Sequence, residues 1–486
     1  MSANRAPIQE LTMIFARKLW HMLVAIKDGL ALLFLLLFFV GLYALLTGRP
    51  GAGQVKDGAL LLKLEGTVVE EPTESSPLAF LSAGGLPAHE YRERDLLRAL
   101  DAAAGDKRIK AVVLDLGKFS GGSQVHMQEL GAALDRVRAA KKPVLVWSLA
   151  YGDDQLLLAA HASEAWIDPM GIAFVLGQGQ QTLYYGKLIE RFKVTPHVYR
   201  VGTYKEYVEP YLRNDMSAPA REERTAVYAA LFDSWKADVV KARPKAQLDL
   251  VTRTPAAWYQ AAGGDGALAA KNAGLIDRIG DSVAFGKRVA EIAGADAQDT
   301  APGSFAHASL KTFLAAHEPA HPGKAIGVIT IAGEIVDGTA GPGKAGGDRI
   351  AELLDGKDAK NIAALVVRVD SPGGSVTAAE RIRAAIERHK ARGIPIVVSM
   401  ANVAASGGYW VSTPASRIFA EPSTVTGSIG IFAVITSFEK TLAEYGVTSD
   451  GVRTTPLSGQ PDILGGFSPE LDSLLQSTIE HGYRNF

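Results

Sequence analysis

Along the 486 residues the spacing of hydrophobic positions changes character after the first fifty. From Gly29 to Leu46 they run unbroken, GLALLFLLLFFVGLYALL, without a charge. At 1.5 Å rise per residue such a helix covers about 27 Å, close to the ~30 Å hydrocarbon core of a bilayer. A transmembrane helix is therefore expected over residues 29–47. Arg5, Arg17, Lys18 and Lys27 precede it, against Glu10 and Asp28, which places residues 1–28 on the cytoplasmic side. In that stretch Leu11, Ile14, Phe15, Leu19, Leu23 and Ile26 fit one helix face, either lying in the membrane interface or prolonging the span. The apolar run is longer than a signal-peptide core, and Thr47-Gly48-Arg49-Pro50 offers no small-residue cleavage site, so an uncleaved anchor is expected.

After residues 48–57, a flexible exit from the membrane, short buried-strand runs alternate with Ala/Arg/Glu-rich helical stretches, and they do so twice. Ile109–Leu116 (IKAVVLDL) matches Ile362–Val369 (IAALVVRV). Each is followed by a Gly-Gly turn, at Gly121-Gly122 and Gly373-Gly374, and by a helix, at about 124–140 and 376–392. A second strand follows, Pro143–Trp147 (PVLVW) against Pro395–Ser399 (PIVVS), and Pro169 and Pro422 then lie 253 residues apart. Leu60–Thr67 and Ile326–Glu334 are the opening strands. Strand, Gly-rich turn, helix, strand is a βαβ crossover series, so the fold class is α/β, with two tandem repeats over 55–292 and 325–486. The stretch 293–324, rich in Ala, Pro, Gly and His, has no strand-like run and reads as the linker. The second repeat reaches Phe486 where the first has reached about residue 236, so an unfinished last helix is expected.

Composition narrows the chemistry. A formal net charge of −1, from 51 basic and 52 acidic residues, gives no global field favouring nucleic acid. The absence of cysteine excludes disulfides, thiolate catalysis and cysteine zinc sites, and no H-E-x-x-H spacing supports a zinc hydrolase.

Two short stretches remain. Ala404-Ala405-Ser406-Gly407-Gly408 follows a hydrophobic strand, and small-x-Ser-x-Gly between strand and helix has the logic of a nucleophile elbow. A serine that merely caps a helix fits the same residues. The first-repeat position matching Ser406 is Asp153, and the second-repeat position matching Lys205 in Gly202-Thr203-Tyr204-Lys205 is Ser458, so each repeat holds one half of a possible pair. Histidine is missing where a base is needed. His481 alone follows Ser406, and His389 lies in an Arg/Glu-rich helix, where a solvated position is expected. A lysine acts as base only when neutral, which burial among Val198, Tyr199, Val201, Tyr204, Tyr207 and Val208 would favour. Glu206 and Glu209 oppose it, although an extended backbone would turn Glu206 away, and a surface pairing of Lys205 with Glu209 is the alternative. The backbone at Ser406–Gly407 and the loop Asp370-Ser371-Pro372-Gly373-Gly374-Ser375 are candidate oxyanion donors, and Ser428, in Thr426-Gly427-Ser428-Ile429-Gly430, could orient a neutral amine.

Asp370-Ser-Pro-Gly-Gly-Ser-Val, Ala404-Ala-Ser-Gly-Gly-Tyr-Trp, Thr426-Gly-Ser-Ile-Gly and Gly202-Thr-Tyr-Lys together resemble the long, duplicated form of the signal peptide peptidase A family, of the Clp protease/crotonase superfamily. The resemblance runs over nearly all of the chain after about residue 55. It implies a cofactor-free Ser-Lys dyad protease with Ser406 as nucleophile, Lys205 as general base, Ser428 as partner of the lysine, and Gly374 and Gly407 as oxyanion donors. It further implies apolar peptide substrates, namely signal peptides, and a homotetramer anchored in the bacterial inner membrane with its catalytic part periplasmic. A crotonase-like acyl-CoA enzyme or a non-catalytic membrane scaffold would need neither Ser406 nor Lys205, so the separation of these two side chains discriminates.

Overall fold

The computed structural model describes residues 6–47, 55–74, 89–318 and 323–486. The first unit contains one helix, Ala6–Thr47, unbroken over its 42 residues. Within it Lys18–Leu42 is long and apolar enough to cross a membrane. The apolar face before Gly29 therefore prolongs the candidate span as the same helix.

The second unit, Val55–Phe486, is built on two parallel sheets. The first repeat supplies β1 (Gly58–Lys63), β2 (Gly66–Val69), β3 (His89–Arg92), β4 (Ile109–Asp115), β5 (Val144–Tyr151), β6 (Glu164–Ala173), β7 (Thr195–Val201), β8 (Arg278–Ile279) and β9 (His307–Ser309). The second supplies β10 (Ile326–Ala332), β11 (Ile335–Val336), β12 (Ala345–Gly346), β13 (Ala364–Ser371), β14 (Ile396–Ala405), β15 (Arg417–Phe419), β16 (Val425–Gly427) and β17 (Ile431–Ser437). Strand order is β8-β6-β5-β4-β1-β9 in one sheet and β10-β13-β14-β15 in the other, with β16 also on β14. The helices Gln124–Ala139 and Val376–Ala391 make the matching crossovers, from β4 to β5 and from β13 to β14. The continuous Val/Ile/Leu runs suit strands covered on both faces. Leu60, Val112, Val146 and Leu134 bury almost completely in the first core, and Val367, Val369, Ile382 and Val398 do so in the second.

Two expectations need correction. The stretch 293–324 is not strand-free: β9 pairs in parallel with Ala59–Leu61, and Phe313, on the helix Leu310–Ala316, is completely buried in the first core. His-Ala-Ser has no apolar alternation to betray it, because backbone hydrogen bonds and the single inward residue Ala308 hold this short edge strand. Residues 319–322 of that stretch lie outside the described residues. His389 is buried rather than solvated, its Nε2 2.8 Å from the carbonyl oxygen of Leu354. It sits on the inner stripe of its helix beside Ile382, Ala385 and Ile386, and its imidazole satisfies a helix-end carbonyl.

The repeats are joined in two ways. β7 and β17 form an antiparallel ribbon, in register from Ile431↔Val201 to Ser437↔Thr195, onto which the last helix, Pro469–Asn485, packs. A buried polar network crosses between the sheets. Arg368, on β13, donates to Glu70 (2.9 Å), Glu93 (3.2 Å) and Glu129 (3.1 Å), all from the first repeat. Burial, and after it the Glu129 carboxylate, raise the pKa of Glu93, so Glu93 holds a proton and Glu129 stays ionised. His126 lies against Glu70 at 3.3 Å, and Asn402 accepts from the Val125 amide (2.9 Å) and donates to Asp370 (3.2 Å).

Candidate active site

The buried strand β14 ends at Ala405, and the next turn is a sharp one. Ser406 takes φ 53°, ψ −118°, a conformation few non-glycine residues adopt, before the helical turn Gly407–Trp410. Its backbone is pinned at both ends: Ser406 N–H donates to Gly427 O (2.8 Å), and Ser406 O accepts from Trp410 N–H (2.9 Å). The strand-to-helix turn read from the sequence is present, and it places the hydroxyl at the end of the second sheet.

The loop after β13 closes against this turn. A Cβ on Gly373 (φ +94°) would stand 2.5 Å from Gly407 N and 2.8 Å from Ser406 Cβ, so only glycine fits there. Gly374 bridges Ile335 in parallel: Ile335 N–H donates to Gly373 O and Ser375 N–H donates to Ile335 O. By strand alternation the N–H of Gly374 itself faces away from Ile335, and a Cβ on Gly407 would lie 3.3 Å from that nitrogen. Gly407 heads its helical turn, so its N–H has no intrahelical acceptor. Two amides from separate segments thus adjoin beside Ser406. Gly373→Ala is expected to lower kcat by about 10²-fold, the scale of losing one oxyanion donor, with the circular dichroism spectrum kept. Activity within threefold of the parent would show that the loop has room.

Lys205 arrives from the other repeat. The ribbon of β7 and β17 sets Val201 opposite Ile431, so the residues just after β7 meet the turn just before β17. Lys205 Nζ lies 3.1 Å from Ser406 Oγ, 2.9 Å from Ser428 O and 3.3 Å from Ser428 Oγ. The residue is 6% exposed, packed against Gly430 and 5.9 Å from the centroid of the Phe432 ring. Burial lowers its pKa from the ordinary lysine value, against the carboxylates of Glu206 and then Glu223, which raise it. The backbone after Lys205 is not extended: Glu206–Val208 is a 3-10 turn, which keeps Glu206 close enough to act. Glu209 does not pair with the lysine; its Oε2 accepts from Ser217 N–H at 3.1 Å. Of the apolar neighbours named from the sequence, Tyr199 and Val208 are buried, whereas Tyr204 and Tyr207 are exposed.

Ser406, Lys205, Ser428, Gly374 and Gly407 therefore come together, and Ser458 does not. It sits in a turn with Thr454 and Thr455. The matching place in the first repeat is occupied by its own carboxylates. Asp153 accepts from the Leu176 (3.0 Å) and Gly177 (2.9 Å) amides, and Asp154 accepts from Gly122 N–H (2.9 Å), the counterpart of the Gly374 amide. Sequence reasoning missed Phe432 and Glu223. No local signal marks them, because they reach Lys205 only through the cross-repeat ribbon and the helix Ala218–Ala242.

The family model "Peptidase family S49" matches residues 136–296 and 388–486. A Protease 4 of Salmonella typhi is 37% identical over 97% of this chain and 77% of its own length. A Protease 4 of Haemophilus influenzae is 32% identical over 96% of this chain and 77% of its own length. A chloroplastic serine protease of Arabidopsis thaliana, named SPPA, is 25% identical over 79% of this chain and 56% of its own length. With parallel sheets built on a repeated βαβ unit, a serine on a strained turn and a match along nearly its whole length, the chain belongs to peptidase family S49, the serine proteases of the Clp protease/crotonase superfamily.

Proposed function

We propose that this chain is a membrane-anchored endopeptidase that degrades signal peptides and other apolar peptides through a Ser-Lys dyad divided between its repeats. The observation that carries the proposal is the contact of Lys205 Nζ with Ser406 Oγ, at 3.1 Å in a buried setting. In its neutral form the amine donates its two N–H groups to Ser428 O and Oγ, which leaves its lone pair for the Ser406 hydroxyl proton. Ser406 Oγ then attacks the peptide carbonyl, and the amides of Gly374 and Gly407 receive the developing oxyanion. The proton on Lys205 passes to the leaving amine. Water, deprotonated by the same lysine, releases the acyl group from Ser406. In this reading residues 29–47 of the helix Ala6–Thr47 span the bilayer with the N-terminus cytoplasmic, the catalytic part is periplasmic, and four copies assemble.

The test is covalent. A peptidyl fluorophosphonate is expected to add once, at Ser406, as read by mass spectrometry of the proteolysed protein, and a peptide ester is expected to give a burst of leaving group. Labelling at another residue, or turnover without any adduct, would remove Ser406 from the role. The charge beside the lysine gives a second check. Glu206 favours the charged amine, which is inactive, so Glu206→Gln lowers the Lys205 pKa and should shift the acid limb of kcat/KM to lower pH. A limb that stays in place or moves up would show that Glu206 does not act on the base.

A further inference from the structure

A cleft of about 450 Å³ opens directly beside the dyad. One side is Ser428 and Ile429 of the second repeat; the other is Tyr204, next to Lys205, with Glu222, Glu223 and Ala226 of the helix Ala218–Ala242. Ile429 and Tyr204 are about half exposed, an apolar lining left open next to the nucleophile. The helix is firmly held: Ser217 caps it by accepting from the Ala220 amide (3.2 Å), and Trp235 Nε1–H donates to Asp153 O (3.0 Å). Its two carboxylates are thus presented from a rigid support.

The charges in this cleft are unbalanced. Glu223 Oε2 is buried and has no hydrogen-bond donor among the described residues. Arg224, the nearest cation in sequence, turns to Glu206 instead, at 3.8 Å. Lys205 is committed to Ser406 and Ser428. Burial, and after it the charge and hydrogen bond of the Glu206 carboxyl, raise the pKa of Glu223, against Arg224 and Lys205, which lower it. Leaving a buried carboxylate oxygen unpaired is costly, and a ligand N–H would relieve it.

We propose that this cleft is a specificity pocket for a lysine or arginine side chain of the peptide substrate, its methylene stem on Tyr204 and Ile429 and its cation on Glu223 and Glu222. A long basic side chain has this division, apolar along the stem and cationic at the tip. The cation would also offset the pull of Glu223 on Lys205, so occupancy of the pocket would favour the neutral base. The inference rests on the dyad reading, since it places the pocket by its distance from the scissile bond.

The test uses the full chain in detergent micelles and quenched fluorescent peptides in which one position at a time is norleucine, glutamine, glutamate, lysine or arginine. One register is expected to show about 10-fold or more higher kcat/KM for lysine or arginine than for norleucine, the scale of one charge-assisted hydrogen bond. The double variant Glu222→Gln/Glu223→Gln should reduce that ratio to within about threefold, and Glu223→Lys should turn it towards glutamate. The same peptides are titrated by fluorescence anisotropy against Ser406→Ala protein, which reads the pocket without turnover. A ratio near unity at every position, in both hydrolysis and binding, overturns the pocket while the dyad stands. A basic preference that survives the double variant also overturns it. Basic selectivity in binding, with no hydrolysis of any peptide by the parent, sustains the pocket and sinks the dyad.

Discussion

Lys205→Met is expected to lower kcat/KM for an apolar peptide ester by about 10³- to 10⁴-fold, the upper range for losing a positioned general base. The methylene stem is kept, so the packing against Gly430 and Phe432 survives while the proton acceptor is lost. Lys205→Arg should be no better, because a guanidinium stays charged at any working pH and cannot take the Ser406 proton. Ser406→Ala should lose at least as much, and the double variant little more than either single one, since the two groups act as a unit. Stability should move the other way. A lysine whose pKa is lowered by burial charges more readily in the unfolded chain, so at neutral pH its desolvation works against folding. Methionine removes that cost, and the urea midpoint of Lys205→Met should rise while activity collapses. Activity within tenfold of the parent, in a variant shown by mass to be homogeneous, would end the dyad reading. A falling midpoint would show that the amine's contacts outweigh its desolvation.

Arg368→Met carries the largest expected stability effect. The arginine donates to all three of Glu70, Glu93 and Glu129, and its side chain is 14% exposed against 7% and 3% for Glu70 and Glu93. Methionine fills much of the volume but strands the ionised Glu70 and Glu129, and breaking a buried pair from one side costs about 3–5 kcal/mol. The cost should depend on pH in a definite sense. Without the guanidinium, the buried carboxylates have folded pKa values above the unfolded ~4.3, so the folded protein binds the extra protons. The deficit is then fully present at neutral pH and shrinks as pH falls towards the folded values and through about 4.3. Urea midpoints at pH 5 and pH 8, with the slope held constant, read it directly. An unmoved midpoint at pH 8 would mean that the network is neutral. Arg368→Lys should fall between, because one ammonium cannot serve three carboxylates in the plane of a guanidinium.

The fold was legible wherever it repeats. The paired strands, the two Gly-Gly turns and the two crossover helices are written in buried-strand runs and helical stripes that local sequence shows, and the turn at Ser406 announces itself through its small neighbours. Legibility stops after Pro169 and Pro422. The repeat offset sends Lys205 to Ser458, yet β7 pairs with β17, to which that offset assigns no partner, and this pairing delivers the amine. Likewise Arg368 looks like any polar residue in a strand. Its three partners come from a different repeat, and only the folded chain shows that they converge. His389 misled for the complementary reason: charged neighbours on one helix face say little about the residue on the opposite stripe. The edge strand β9 was lost because backbone pairing, rather than side-chain pattern, holds it.

The ribbon of β7 and β17 also governs when the protein becomes dangerous. During synthesis Lys205 is made more than two hundred residues before Ser406, and the strand that must pair with its neighbourhood ends only at Ser437. A growing chain that has emerged only through the first repeat carries that lysine without Ser406, and its own corresponding turn is filled by Asp153 and Asp154. On the proposed anchoring by the helix Ala6–Thr47, such a chain would meet the membrane long before it could hydrolyse anything. If the proposed dyad is the catalytic one, the order of residues along the chain acts as a timer, holding proteolysis back until both repeats have been made and zipped together.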